Sequence, residues 1–305
     1  MGRQAVRGQG VKLLVTGRNG QVGFELTRAL SVLGEVVAVD RQGCEMANGE
    51  AIRALMRQVK PDVVVNAVAY TAVDKAESEQ AMANAVNAIA PGILGEEAAR
   101  LNALVVHYST DYVFDGSKSG AYVETDTPNP QSAYGQSKLD GERALVKANP
   151  KHLILRTSWV YGAHGGNFAK TMLRLAADRE KLTVVADQFG APTSAALLAD
   201  LTAQLIGRYA REGGEKYPYG IYHVVNSGET HWCDYARFVI ATALAAGKAL
   251  KTTPDNITPI TTAQYPTPAK RPANSRMNTQ RFRDTFALRL PPWQESLQHV
   301  LQQIL

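Results

Sequence analysis

Short β-branched runs alternate with longer stretches of helical period through the first half of the chain, and this alternation predicts a parallel sheet wrapped by helices. Strands are expected at Lys12 to Thr16, Val36 to Asp40, Asp62 to Asn66, Leu104 to Ser109 and His152 to Thr157. Helices are expected between them at Gln21 to Leu33, Gly49 to Val59, Gln80 to Leu101 and Ala133 to Ala148. Pro91 falls inside the third helix and should kink it or divide it in two, since proline lacks the N–H of the helix ladder and crowds the turn before it. Later the pattern changes. Thr252 to Pro272 holds Pro254, Pro259, Pro266, Pro268 and Pro272 with little periodicity, which suits an irregular lobe folded over a cleft. No internal repeat or low-complexity tract is present.

Two of the predicted turns carry chemistry. Gly17-Arg-Asn-Gly20-Gln-Val-Gly23 follows the first strand and opens the first helix, the setting a dinucleotide turn requires. Without side chains the backbone amides can approach a pyrophosphate, and the helix N-terminus adds a favourable field. Asp40, at the end of the second strand, stands where a carboxylate would bind the adenosine ribose and favour NADH. Arg18 and Arg41 point the other way, since either guanidinium suits a 2′-phosphate, so both cofactors stay open. The small residues of Asn66-Ala-Val-Ala-Tyr70-Thr71 would let a cofactor pass, or simply pack helix on sheet. Tyr134 and Lys138, four residues apart, share one helix face. They lie one loop after the strand ending Ser109-Thr110-Asp111, beyond the carboxyl end of which open parallel sheets place ligands. A phenol with pKa about 10 is a sluggish acid–base group unless a cation stabilises its phenolate, and Lys138 is expected to be that cation beside the Thr110 hydroxyl. His107 reads as a packed strand residue. Trp159 reads equally as a core aromatic or as a flat wall for a ring substrate.

Composition narrows the class. With 305 residues and 45% hydrophobic content the chain can build a full core. The run Asp62-Val-Val-Val-Asn66 and every other apolar stretch fall well short of the ~20 residues of a membrane span. Residues 1–10, with Arg3 and Arg7, lead into an apolar segment too short for a secretory signal and without a small-residue cleavage site, so they read as a disordered extension. Only Cys44 and Cys233 occur, with no spacing that suggests a disulfide framework or a zinc site, which fits a reducing cytoplasm. The net charge of +5 is spread along the sequence, which argues against a nucleic-acid surface and leaves room for a basic pocket holding an anionic substrate.

The chain resembles the extended short-chain dehydrogenase/reductases, and within them the dTDP-4-dehydrorhamnose reductases. The stretches that carry the resemblance are the glycine turn, Thr71-Ala-Val-Asp-Lys-Ala-Glu-Ser78, His107-Tyr-Ser-Thr-Asp-Tyr-Val-Phe114, Arg156-Thr-Ser-Trp-Val-Tyr161, Asn167-Phe-Ala-Lys-Thr-Met-Leu173, Asp187-Gln-Phe-Gly-Ala-Pro-Thr193 and Arg271-Pro-Ala-Asn-Ser-Arg276. They run in order through nearly everything from Val11 onward. The resemblance implies an α/β fold: a doubly wound parallel Rossmann sheet over 11–160, then a smaller, partly irregular substrate lobe over 161–305 with segments returning to the sheet. It implies hydride transfer from NADPH or NADH to the C4 ketone of a dTDP-deoxyhexose, giving dTDP-L-rhamnose. Tyr134 would protonate the developing alkoxide, Thr110 would hydrogen bond the same oxygen, and Lys138 would hold the nicotinamide ribose and acidify the phenol. Matched cofactor positions are Gly17, Gly20, Gln21, Val22, Gly23, Asp40, Glu45, Met46, Ala69, Tyr70, Thr71 and Tyr108, with Tyr134 and Lys138 beside them. Thr110, Asp111 and Trp159 match substrate contacts, and the lobe containing Arg271 would take the nucleotide diphosphate, whose oxygens suit a guanidinium.

Related chemistries leave different residues. Nucleotide-sugar dehydratases of the superfamily carry an Asp-Glu pair after the strand-end threonine, to supply an acid and a base for loss of water. Here Asp111 is followed by Tyr112, which favours reduction. A 4-epimerase, and a non-catalytic binding subunit like the regulatory subunit of methionine adenosyltransferase, remain as alternatives. The resemblance also raises a homodimer bridged by magnesium. Of the glutamates involved, one matches Glu25, another is replaced by Ala196, and a third falls near Glu295. An alanine cannot coordinate a cation, so magnesium is not expected here.

Overall fold

The structure, a computed structural model, describes residues 10–305. The disordered extension expected for 1–10 therefore lies, apart from Gly10, outside the described residues. In chain order the first half contains β1 (Val11–Thr16), α1 (Gln21–Leu30), β2 (Gly34–Val39), α2 (Gly49–Val59), β3 (Val63–Asn66), α3 (Val73–Ala76), α4 (Gln80–Asn84), a π-helical turn (Ala85–Ile89), α5 (Ala90–Leu101), β4 (Leu104–Thr110), α6 (Ala133–Ala148) and β5 (His152–Thr157). The second half adds β6 (Val160–Tyr161), α7 (Phe168–Asp178), β7 (Leu182–Val185), β8 (Phe189–Gly190), β9 (Thr193–Ser194), α8 (Ala195–Glu212), β10 (Gly220–His223), β11 (Thr230–His231), α9 (Trp232–Ala245), β12 (Ile257–Ile260), α10 (Gln280–Phe286) and α11 (Trp293–Ile304).

Capping fixes the helices that matter most. Asn48 accepts hydrogen bonds from Glu50 N and Ala51 N at the start of α2, and Ser132 accepts from Gly135 N at the start of α6. Lys60, left-handed at φ 49°, ends α2 just before Pro61. Helix α1 stops three residues before the expected Leu33, because the Ser31 hydroxyl turns back onto Arg28 O at 2.8 Å and the chain bends into β2. Around Pro91 the chain stays helical. The proline sits in the first turn of α5, and the wide turn before it relieves the crowding that its ring would cause at residue 87. That turn aims the Asn87 amide at Ser137 Oγ in α6, 3.0 Å away, and at the backbone of Tyr70.

Six strands form one parallel sheet in the order β10-β5-β4-β3-β1-β2. The order in which the chain adds strands reverses between β1 and β3, the switch point where open α/β sheets leave a crevice at the strand carboxyl ends. Val63 to Val65 and the whole of β4 and β5 are buried, as a sheet covered on both faces requires. On one face α1 and α8 pack Leu26, Leu30, Leu198 and Leu205 against it; on the other α2, α5 and α6 bring Ile52, Met56, Leu94 and Leu145. Burial of each such side chain contributes about 1.5–3 kcal/mol. The sixth strand, β10, was not among the five expected. It joins β5 from far along the chain, so its partner, rather than its own short sequence, makes it a strand. A separate apolar cluster built from Tyr161, Met172, Tyr235, Val239, Trp293 and Leu297 supports the small sheets of the second half. Among the described residues no helix is long and apolar enough to cross a membrane.

Candidate active site

The glycine turn leaves β1 at the switch point. Gly17 has φ +80°, and a Cβ there would lie 2.9 Å from the Val68 side chain. A Cβ on Gly23 would lie 2.0 Å from Gly17 O, so only glycine lets α1 start this close to the turn. Gly20 caps α1 with no side chain over its first amides. The turn opens onto a cavity of about 510 Å³ lined by Gly17, Gly20, Asp40, Glu45, Met46, Ala69 and Tyr70, seven of the positions singled out from sequence. Asp40 accepts the amides of Gln42 and Gly43 at 3.1 Å, the Asn19 side chain at 3.1 Å and an Arg18 salt bridge at 3.1 Å. These donors, Gly43 first, hold its carboxyl below the usual range. Arg41 pairs with Glu45 on the rim. Other expected cofactor positions do not line this cavity. Gln21 reaches Val160 O at 3.3 Å, Val22 packs on the sheet core, Thr71 is exposed beyond Tyr70, and the Tyr108 hydroxyl is bonded to Thr202 Oγ1 in the core at 2.7 Å.

At the end of β4 the sheet delivers Thr110 and Asp111 to the first turn of α6. Tyr134, buried there, packs edge-on against Tyr112 with ring centres 5.5 Å apart. Burial pushes its phenol up to about 12, and the nearby Thr110 hydroxyl offsets only part of this. Among the described residues Lys138 makes no hydrogen bond to this phenol. Its Nζ donates to Tyr108 O at 2.7 Å and meets His107 Nε2 at 3.3 Å, both on β4. Burial lowers Lys138 to about 8, with Glu142 pulling the other way. Asp111 is pushed up to about 6 by burial, against the pull of the Ser275 and Thr110 hydroxyls. Its Oδ1 accepts from Thr110 at 3.0 Å, and its Oδ2 has no hydrogen-bond partner among the described residues.

Beyond Tyr112 opens a second cavity, of about 690 Å³. Its walls carry three cations, Arg179, Lys181 and Arg271, and no carboxylate, so its field suits an anion. Arg271 is partly committed: one guanidinium nitrogen pairs with Asp74 at 2.8 Å, while Nη1 is buried without a partner among the described residues. Trp159 adopts φ 48° and stacks at 3.8 Å on Trp232, which lines the cavity beside Phe168. Sequence reading missed Trp232, Arg179 and Lys181. The charge pair just before β7 was the signal within reach; Trp232 gave none, since only the fold brings it to Trp159.

A family model described as the RmlD substrate binding domain matches residues 11–305. The dTDP-4-dehydrorhamnose reductase of Escherichia coli K12 is 48% identical over 298 residues, covering 96% of this chain and 98% of that protein. The chain belongs to the dTDP-4-dehydrorhamnose reductase family. Two solved structures of such reductases share its fold. That of Clostridium acetobutylicum ATCC 824 matches with a TM-score of 0.87 at 38% identity, covering 95% of this chain and 98% of that one. That of Bacillus anthracis Ames, in complex with NADP, gives 0.88 at 32%, covering 97% and 100%.

The magnesium site implied by resemblance to this reductase family does not fit the residues present. Glu25, Ala196 and Glu295 do line one cavity, with Arg28 and Asp200. But Glu25 is held by Arg28 at 3.2 Å, and the same guanidinium binds Asp200 at 3.1 Å. A cation is already built in where an octahedral ion would need free oxygens. Among the described residues no group of three or more histidines, cysteines or acids is placed to hold a metal.

Proposed function

We propose that this chain reduces the C4 ketone of dTDP-4-dehydro-6-deoxy-L-mannose to dTDP-L-rhamnose, with residues 11–160 binding the dinucleotide and 161–305 mainly the sugar nucleotide. The observation that carries the reading is Tyr134, a phenol kept protonated beside Thr110 and packed in one cluster with Tyr70 of the glycine-turn cavity and Tyr112 of the cation-lined cavity. A reduced nicotinamide supplies the hydride. As charge develops on the ketone oxygen, Tyr134 gives it a proton and the Thr110 hydroxyl hydrogen bonds it, donors that matter most in the transition state. Lys138 holds the nicotinamide ribose, and its charge favours the phenolate left behind. Asp111 and the Trp159–Trp232 wall orient the sugar, and Arg271, Arg179 and Lys181 suit its diphosphate.

Cofactor choice rests on one contact. Asp40 suits a ribose diol and hence NADH, while Arg18, already beside it, suits a 2′-phosphate; the reading is that both cofactors serve. The test offers purified protein the 4-keto sugar with NADH and with NADPH. Sugar-dependent oxidation of either cofactor, with rhamnose as the product by NMR, is expected. Turnover of the sugar without net oxidation would point to an epimerase, and tight binding with no turnover to a binding subunit.

A further inference from the structure

Beneath the site a line of buried polar side chains runs from β1 to α6: Thr16, Asn66, His107 and Lys138, none more than 2% exposed. Asn66 Oδ1 accepts from the Thr16 hydroxyl at 2.8 Å and from Val68 N at 3.2 Å. A backbone N–H can only donate, so Val68 fixes which end of the amide is oxygen. The amide nitrogen of Asn66 then faces His107 Nδ1 at 3.1 Å. That nitrogen also only donates, so Nδ1 must be bare, and a neutral imidazole with a bare Nδ1 carries its hydrogen on Nε2. Burial holds His107 neutral, with Lys138 acting in the same direction.

Nε2 lies 3.3 Å from Lys138 Nζ. An ammonium has no lone pair, so a protonated Lys138 sets N–H against N–H at this contact. A neutral amine accepts from Nε2 and still donates to Tyr108 O at 2.7 Å. We infer that His107 is a positioning residue that sets the proton affinity of Lys138: fixed by Asn66 as the Nε2–H tautomer, it completes its hydrogen bonds only when the lysine is neutral. The inference rests on the role given to Lys138 above.

The other groups around Lys138 do not take over this task. On α6, Glu142 raises its affinity but is bound by Arg156 of β5 at 2.9 and 2.6 Å, and Tyr134 is uncharged. From β4 come His107 and, past its end, Asp111; the π-helical turn brings only the uncharged Asn87. Burial already lowers Lys138, and the contact with His107 acts in the same direction, leaving it near titration where it can pass its proton on once Tyr134 has given up its own.

Two measurements test this. NMR of protein labelled with ¹⁵N in its imidazoles, with His107→Gln to assign the signal, should show His107 protonated on Nε2 and bare on Nδ1 at pH 7. A hydrogen on Nδ1 would overturn the inference whatever the enzyme's activity. In turnover, kcat/KM should fall as pH rises through the Lys138 titration. His107→Gln, whose amide can turn its oxygen to the ammonium, should move that alkaline limb up by about one pH unit. A merely structural role would lower the rate and leave the limb in place, which contradicts the inference. A wild-type profile flat through this range would instead bring down the reading of Lys138 and this role with it.

Discussion

Tyr134 keeps its proton because burial makes the phenolate expensive, with the phenol at about 12, and a protonated donor is what reduction of a ketone requires. Tyr134→Phe removes only that proton. It should leave cofactor binding nearly intact and lower kcat by about 10²-fold or more; a defect confined to KM would contradict the assignment. Asp111 illustrates the cost of such a site. Its carboxyl titrates near 6 in the folded protein against 3.8 ordinarily, so the folded state binds the extra proton between those values and stability falls as pH rises through that window. Asp111→Asn, neutral at every pH, should therefore unfold at a higher temperature than wild type near pH 7, by up to about 3 kcal/mol of stability, with the gap closing toward pH 4. It should lose activity at the same time. A gap that does not change with pH would show that the buried charge is not the cause.

At the scale of elements, the sequence was most legible where local chemistry decides. Helices α2 and α6 and strand β5 run where the periodicity placed them, because Asn48 and Ser132 cap the helices and a continuous apolar run builds the strand. The early end of α1 was hidden in a side-chain bond from Ser31, and the π-helical turn in the need to fit Pro91 and Asn87 against α6. Strand β10 and the pairing of Trp159 with Trp232 depend on contacts between distant segments, which no local pattern records. Helix spacing and the place after β4 put Lys138 on the face of Tyr134, but they do not record that the Tyr108 carbonyl and the His107 ring also meet its amine nitrogen. The turn after β1 and the loop after β2 make one further prediction. Asp40→Ala should weaken NADH more than NADPH, because the lost carboxylate suits a hydroxyl that the phosphate replaces, and it frees Arg18 for that phosphate. Equal losses, read from KM for each cofactor, would remove Asp40 from the ribose.

For the molecule as a whole, the parallel sheet sets Thr110, Asp111 and the glycine turn at the same end, and the second half of the chain closes a cation-lined cavity beside them. No step of the proposed reaction needs a divalent ion, and Arg28 occupies the position between Glu25 and Asp200. Activity should therefore survive EDTA, and sedimentation should give the same assembly with and without chelator; a dimer that dissociates with EDTA and returns with Mg²⁺ would contradict this. The central claim is that hydride reaches C4 of the sugar while Tyr134 supplies the proton. It is tested most directly with a reduced cofactor carrying deuterium at both C4 positions of the nicotinamide and the dTDP-4-keto sugar in ordinary water. One deuterium is expected on C4 of the rhamnose product by NMR, and almost none transferred by Tyr134→Phe in the same time. Deuterium at another carbon, or a product formed without any, would contradict it.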